Sequence, residues 1–269
     1  MIDKKDINKM KEEENKKNTI QEIDGKEGND KNMNFLDHLE ELRKRIIYVI
    51  IFLVIACIIV ANFISSLMQK VFLAPANNVN LTLQNLQPFG QPFLYFKIIF
   101  ITATIITIPF LLLQFWNFLS PALYKKEKKW VGAITIITSF CFLSGVVFSY
   151  FVLIPSMLLF AANFGTELIV NNIDVNEYFS FISMILLVSG IIFELPIISF
   201  ILSKFNIITP NLISKYRKHS IVVILILAAV LTPTPDPISQ LMFAAPIVIL
   251  YEISILVSRI VYKKNNLDN

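Results

Sequence analysis

The chain has 269 residues, of which 55% are hydrophobic and only 16% charged, with 23 phenylalanines. That composition excludes an ordinary soluble domain and a wholly disordered chain, and reads as an integral membrane protein. The formal charge of +4 conceals a contrast, because residues 1–34 carry eight lysines against nine acids while the remainder carries sixteen basic against eleven acidic side chains. The basic excess therefore belongs to the membrane part.

Residues 1–33 are rich in Lys, Glu, Asn and Asp, show no periodicity, and cannot bury enough apolar surface to offset the entropy of ordering. A disordered charged tail is expected there, followed by a membrane domain over 34–263 and a short tail over 264–269. The acids in the first tail argue against an organellar transit peptide, and no apolar h-region precedes a cleavage site. Asn34 is positioned as an N-cap, and Phe35, Leu39, Leu42 and Ile46 share one helical stripe. An amphipathic surface helix running into the first span follows.

Six spans are expected: Ile46–Phe63, Phe93–Leu113, Trp130–Ile154, Tyr178–Ser203, Ser220–Leu231 and Ile238–Ser258. Helices are the spanning form that such runs allow. The fifth is short, since the stretch from Ser220 to Leu231 falls well below the roughly 20 residues that a bilayer core requires. Ser120-Pro121 and Thr209-Pro210 each place a capping residue before a proline suited to the first helical position, which predicts short interfacial helices. Cys57 and Cys141 lie inside apolar runs, so neither a disulfide framework nor a zinc site is indicated.

Loop charges alternate. Residues 1–45 hold eleven Lys and Arg, the 120–129 loop four, the 204–219 loop four and the segment from Arg259 three. The intervening loops hold Lys70 and Lys97 at most. The positive-inside rule then places both termini on the cytoplasmic side of an all-α, six-span protein.

Few charged groups lie within the spans. Glu194, in Ile192-Phe193-Glu194-Leu195-Pro196, is an acid deep in an apolar run, where such groups face a bundle interior or a cavity. Pro196 frees a backbone carbonyl beside it and predicts a kink. Pro233, Pro235 and Pro237 force a tight outer turn, with Asp236 as a cap and a structural role. Gln240, one turn further, is placed to bond a neighbouring helix. Glu252 and Arg259 are seven residues apart and share a helix face, and Lys97 is placed to snorkel outward. Neither histidine, His38 or His219, sits in a catalytic motif, so no enzymatic activity, metal or cofactor is expected.

Two carboxylates stand among cations at the membrane boundary: Glu41 in His38-Leu39-Glu40-Glu41-Leu42-Arg43-Lys44-Arg45, and Glu127 in Lys125-Lys126-Glu127-Lys128-Lys129. The plain reading is local charge balance, with Glu40 and Glu41 bonding Lys44 and Arg45 at i,i+4. The functional reading is that each accepts a guanidinium fork from an arginine-bearing segment.

Taken in order, Phe35 to Arg45, Gln114-Phe115-Trp116-Asn117-Phe118 with Ser120-Pro121-Ala122-Leu123-Tyr124-Lys125-Lys126-Glu127, Phe193-Glu194-Leu195-Pro196, and Leu231-Thr232-Pro233 through Asp236 to Ser239-Gln240 resemble the TatC family, the large signal-peptide-binding subunit of the twin-arginine protein translocase. The resemblance covers about residues 34–263. It implies a concave, glove-like helical bundle in which Glu41 and Glu127 receive the consecutive arginines of a signal peptide on folded cargo, with Arg43 and Phe118 also at that site. It further implies that Glu194 lies on the concave face, that Gln240 sits where single-span TatA or TatB partners bind, and that a hetero-oligomer in the lipid bilayer uses the proton-motive force without covalent chemistry or nucleic acid. The membrane expected is a bacterial plasma membrane, or a thylakoid or mitochondrial inner membrane of bacterial descent. The charged tail before residue 34 and the second Thr-Pro of the outer turn depart from the family pattern.

Two rivals give other accounts of the same residues. A proton-coupled small-solute carrier would titrate Glu194, and a passive scaffold would use Glu41 and Glu127 only to balance lysines.

Overall fold

Apolar runs in lipid must satisfy their own backbone hydrogen bonds, and the computed structural model meets that demand almost wholly with helices. The structure describes residues 38–120, 131–163, 172–205, 207–232 and 237–267, with side chains as far as 262. The chain divides into two units, Met1–Ile50 and Ile51–Asn269. In the first, the described residues are helical. Among the described residues, five helical runs are long and apolar enough to cross a membrane: His38–Asn62, Gly90–Leu119, Val131–Asn163, Val175–Lys204 and Pro237–Tyr262. The protein is a multi-pass membrane protein.

We number the first run α1 (His38–Asn62) and the next, α4 (Gly90–Leu119), after two short helices, α2 (Ile64–Leu67) and α3 (Ala74–Asn78). Val131–Asn163 comprises α5 (Val131–Phe148) and α6 (Ile154–Asn163). The fourth run comprises α7 (Val175–Ile192) and α8 (Leu195–Lys204). Then come α9 (Pro210–Lys215), α10 (Arg217–Leu231) and α11 (Pro237–Leu267). The fifth expected span is α10, and its 15 residues rise about 22 Å against a hydrocarbon core of about 30 Å.

Five of the six expected spans fall within these runs with moved ends, whereas α10 is not among the runs long enough to cross. The third extends to Asn163 rather than Ile154, because the helix does not stop at Pro155: it widens to a π-helical turn over Ser149–Leu153 and continues. A second π turn, Met68–Phe72, precedes Pro75. In both places the ladder loosens just ahead of a residue that lacks an amide hydrogen. Pro196 acts as expected, since the fourth run breaks at Phe193 and Glu194 before α8. Thr209 precedes α9 with Pro210 in its first turn, yet the Thr209 side chain makes no capping bond. Pro237 begins α11 as the sequence predicts; Ser120 is described but Pro121, Pro233 and Asp236 lie outside the described residues.

No local pattern anticipates a small parallel sheet, β1 (Thr82–Gln84) paired with β2 (Asn172–Asp174), in register Thr82 to Asn172, Leu83 to Ile173 and Gln84 to Asp174. It ties two loops that are 90 residues apart in sequence, helped by the 2.7 Å bond from Thr82 Oγ1 to Asn172 Oδ1. Asp174 ends β2 and caps α7 by accepting from Asn176 N at 3.3 Å.

The core centres on α7, whose Tyr178, Phe179, Ile182 and Ile185 are almost fully buried among residues of α4, α6, α10 and α11. Tyr178 carries a hydroxyl into this core, and both its donor and an acceptor site are used: it donates to Phe72 O at 2.9 Å and accepts from Ala76 N at 3.1 Å. Tyr150 donates to the neighbouring Val71 O at 2.9 Å. Two helices thus anchor the π turn over Met68–Phe72 through its carbonyls. Where α5 meets α7 the seam is made of small residues, Gly145, Ser189 and Gly190. A Cβ on Gly145 would fall 2.7 Å from Ser189 O, and one on Gly190 would fall 2.4 Å from the Phe142 ring. Such close approach is how helices associate where lipid removes the hydrophobic drive.

Two outcomes follow. Gly145→Ala should lower thermal stability in detergent by about 1–3 kcal/mol, because backbone must shift to admit the methyl; an unchanged melting temperature would contradict the seam. Tyr178→Phe should cost about 1–3 kcal/mol and speed hydrogen exchange at the Ala76 amide, and unaltered exchange there would remove the anchor.

Candidate functional site

Glu41 sits one turn from Arg45 on α1, and the helix brings the two side chains together as i,i+4 partners. Arg45 donates to the same carboxylate oxygen twice, from Nε at 3.0 Å and from Nη2 at 2.5 Å. His38 Nδ1 stands 3.8 Å from the other oxygen. Glu40 pairs with Lys44 at 2.8 Å, and Arg43 is exposed. The local pairing expected from the sequence is therefore present, and it already has a guanidinium on Glu41. Phe118 is half-buried near the end of α4. Glu127 lies outside the described residues.

Glu194 occupies the break between α7 and α8. It is 8% exposed, lies beside Phe142 and Cys141 of α5, and its Oε1 has no hydrogen-bond partner among the described residues. Its backbone carbonyl accepts from Ile197 N at 3.0 Å and Ile198 N at 2.9 Å, which starts α8. Ser189 Oγ, one turn earlier, is also buried without a partner. A small hollow beside Ser189 and Phe193 is closed by Phe243, Pro246 and Leu250 of α11. A carboxyl in such a place is costly and marks a functional position by default.

Gln240 bonds a neighbouring helix as expected, its Nε2 donating to Leu225 O of α10 at 2.8 Å. Lys97 does not simply snorkel outward, because its Nζ meets Ser180 Oγ of α7. Glu252 and Arg259 of α11 each bond a different neighbouring helix. Arg217 forks onto both oxygens of Glu252, with Nε to Oε1 at 2.5 Å and Nη2 to Oε2, and Arg259 Nη2 donates to Ser214 Oγ at 3.2 Å. The carboxylate in turn holds the Arg217 guanidinium above its ordinary value, chiefly through that hydrogen bond. This pair, 35 residues apart, was missed in the sequence because nothing local signals it. A second omission is Trp116, whose indole is 6% exposed and packs with Val131, Ile134, Ile197 and Ile201.

Comparison with known proteins gives this geometry its context. A family model described as Sec-independent protein translocase protein (TatC) matches residues 37–246. The chain is 35% identical over 238 residues to the Sec-independent protein translocase protein TatC of Halalkalibacterium halodurans, covering 88% of this chain and 93% of that one. It is 36% identical over 235 residues to TatC of Carboxydothermus hydrogenoformans, covering 87% and 96%, and 37% identical over 224 residues to TatC of Helicobacter pylori, covering 83% and 87%. A crystal structure of the twin arginine translocase receptor TatC superposes with a TM-score of 0.75 at 33% identity, over 83% of this chain and 99% of that one. The motifs that carry the resemblance fall within the matched residues, apart from the two that begin it at Phe35 and Leu36. By its sequence over most of its length and by its fold, the chain belongs to the TatC family.

Proposed function

We propose that this chain is the receptor subunit of a twin-arginine translocase, with both termini in the cytoplasm, and that it binds the signal peptides of folded cargo through Glu41 and Glu127. Each carboxylate takes one guanidinium of the arginine pair, with Arg43 and Phe118 lining the same site. The observation that carries this reading is the fork already present on Glu41. Arg45 places two donors on one carboxylate oxygen, so the carboxylate is presented in a geometry that a guanidinium fits. Arg45 is on this account an internal stand-in that an incoming arginine replaces. Lysine is a poorer ligand because it lacks the planar fork.

Glu194 and Gln240 are assigned to the intramembrane contact with single-span TatA- or TatB-type subunits. The partnerless oxygen of Glu194 supports this, because a polar group from another helix would complete its bonding. The complex works as a hetero-oligomer driven by the proton-motive force, and family membership leaves the carrier reading of Glu194 without separate support.

The test is binding of a fluorescent Arg-Arg signal peptide and its Lys-Lys twin to the purified chain in nanodiscs. Each charge-assisted bond lost should cost about 1.5–3 kcal/mol, so Glu127→Ala should weaken Arg-Arg binding tenfold or more with the fold intact. Arg45→Gln should tighten it, since the internal competitor is gone. Equal affinity for the two peptides, or affinity unmoved by Glu41→Ala and Glu127→Ala together, would refute the reading and favour a scaffold.

A further inference from the structure

One end of the α8 to α11 group is held by a dense set of polar contacts whose function the receptor reading does not use. Ser203 of α8 and Ser258 of α11 share a hydrogen bond of 2.6 Å. Tyr251 of α11 donates to Ile213 O of α9 at 2.9 Å and accepts from Ser220 Oγ of α10 at 3.0 Å. Arg259 reaches Ser214, and Arg217 forks onto Glu252. Four helices are thereby fixed at one level.

The charge at this end is lopsided. Residues 203–219 and 252–259 contain Lys204, Lys215, Arg217, Lys218 and Arg259 against the single acid Glu252, and Glu252 is consumed by Arg217. Lys215 and Lys218 are exposed. Large apolar side chains stand exposed beside them: Ile207 at 65%, Leu212 at 47% and Tyr216 at 50%. Cations interleaved with exposed aliphatic and aromatic groups form the pattern of a segment lying at a membrane interface, where the apolar groups enter the acyl boundary and the cations meet phosphates. The level fits too. The 15 residues of α10 rise only about 22 Å, less than a hydrocarbon core, and headgroups drawn in at its ends would meet Lys218.

We propose that α9 and the first turn of α10 form a docking surface for anionic phospholipid headgroups, with Lys215 and Lys218 binding the phosphates and Leu212 and Tyr216 seated among the upper acyl carbons. A lipid fits better than an acidic polypeptide because the cations lie at the end of a span and alternate with apolar anchors. The partner is thus the bilayer itself, selected by headgroup charge.

The test is a titration of the full chain in neutral detergent with phosphatidylglycerol and, separately, phosphatidylcholine, read by native mass spectrometry. Phosphatidylglycerol should be retained about tenfold more strongly, the preference expected of a few cations near an anionic headgroup. The double variant Lys215→Gln, Lys218→Gln should lose the preference while keeping its melting temperature, and Lys215→Arg, Lys218→Arg should keep it. Equal retention of the two lipids, an unaltered preference in the glutamine variant, or loss of preference in the arginine variant would overturn the proposal. So would binding of an acidic peptide at this surface without any preference between the lipids. Signal-peptide affinity does not enter these readings, so the two proposals fail separately.

Discussion

The rest of the structure depends on the seam between α5 and α7, where Gly145 lies so close to the Ser189 carbonyl that no Cβ fits. In a bilayer, packing and hydrogen bonding must supply what the hydrophobic effect supplies in water. Small residues achieve this by letting two backbones touch. Once α5 is against α7, the large side chains of α7 are sealed on its other faces, and Phe179 and Ile182 lose all solvent exposure. The same closeness places Phe148 against Phe193, with ring centroids 5.4 Å apart, at the point where the fourth run breaks.

That break connects packing with chemistry. Pro196 prevents an unbroken helix, and the interruption leaves Glu194 buried beside α5 with a carboxyl oxygen unpartnered among the described residues. A chain under selection for stability alone would place an apolar residue there, since an unpaired polar group in this setting costs more than it returns. At the far end of α8 the arrangement is reversed: Ser203 bonds Ser258, and the neighbouring Glu252 and Tyr251 of α11 both find partners. One end of α8 is rigid and satisfied, the other strained in its bonding, which is the division expected of a subunit that holds a frame while accepting contacts from other helices.

Much of this was legible in the sequence. The apolar runs and the alternating loop charges define the spans, the short interval from Ser220 to Leu231 anticipates α10, and Phe-Glu-Leu-Pro anticipates the break. The i,i+4 spacing of Glu41 and Arg45 gave their pairing, and Gln240 met the neighbouring helix as its depth implied. What escaped depends on residues distant in the chain. Three-residue strands such as Thr82–Gln84 carry no periodicity, and their pairing with Asn172–Asp174 needs the bundle to align the two loops first. Arg217 and Glu252 find each other only because α10 and α11 run side by side. The π turns were illegible because nothing in the local pattern marks a helical ladder that widens ahead of a proline. The family resemblance supplied Arg43 and Phe118, which no spacing argument singles out.

The central claim is that a guanidinium pair from another polypeptide takes the place on Glu41 that Arg45 holds. The most direct measurement is photocrosslinking, with a diazirine-bearing residue placed next to the arginine pair of a signal peptide and the adducts on the full chain in nanodiscs mapped by mass spectrometry. The account predicts adducts concentrated in His38 to Arg45 and in residues 120–129, lost when the arginines are changed to lysine. Adducts confined to other segments, or independent of the arginines, would contradict it.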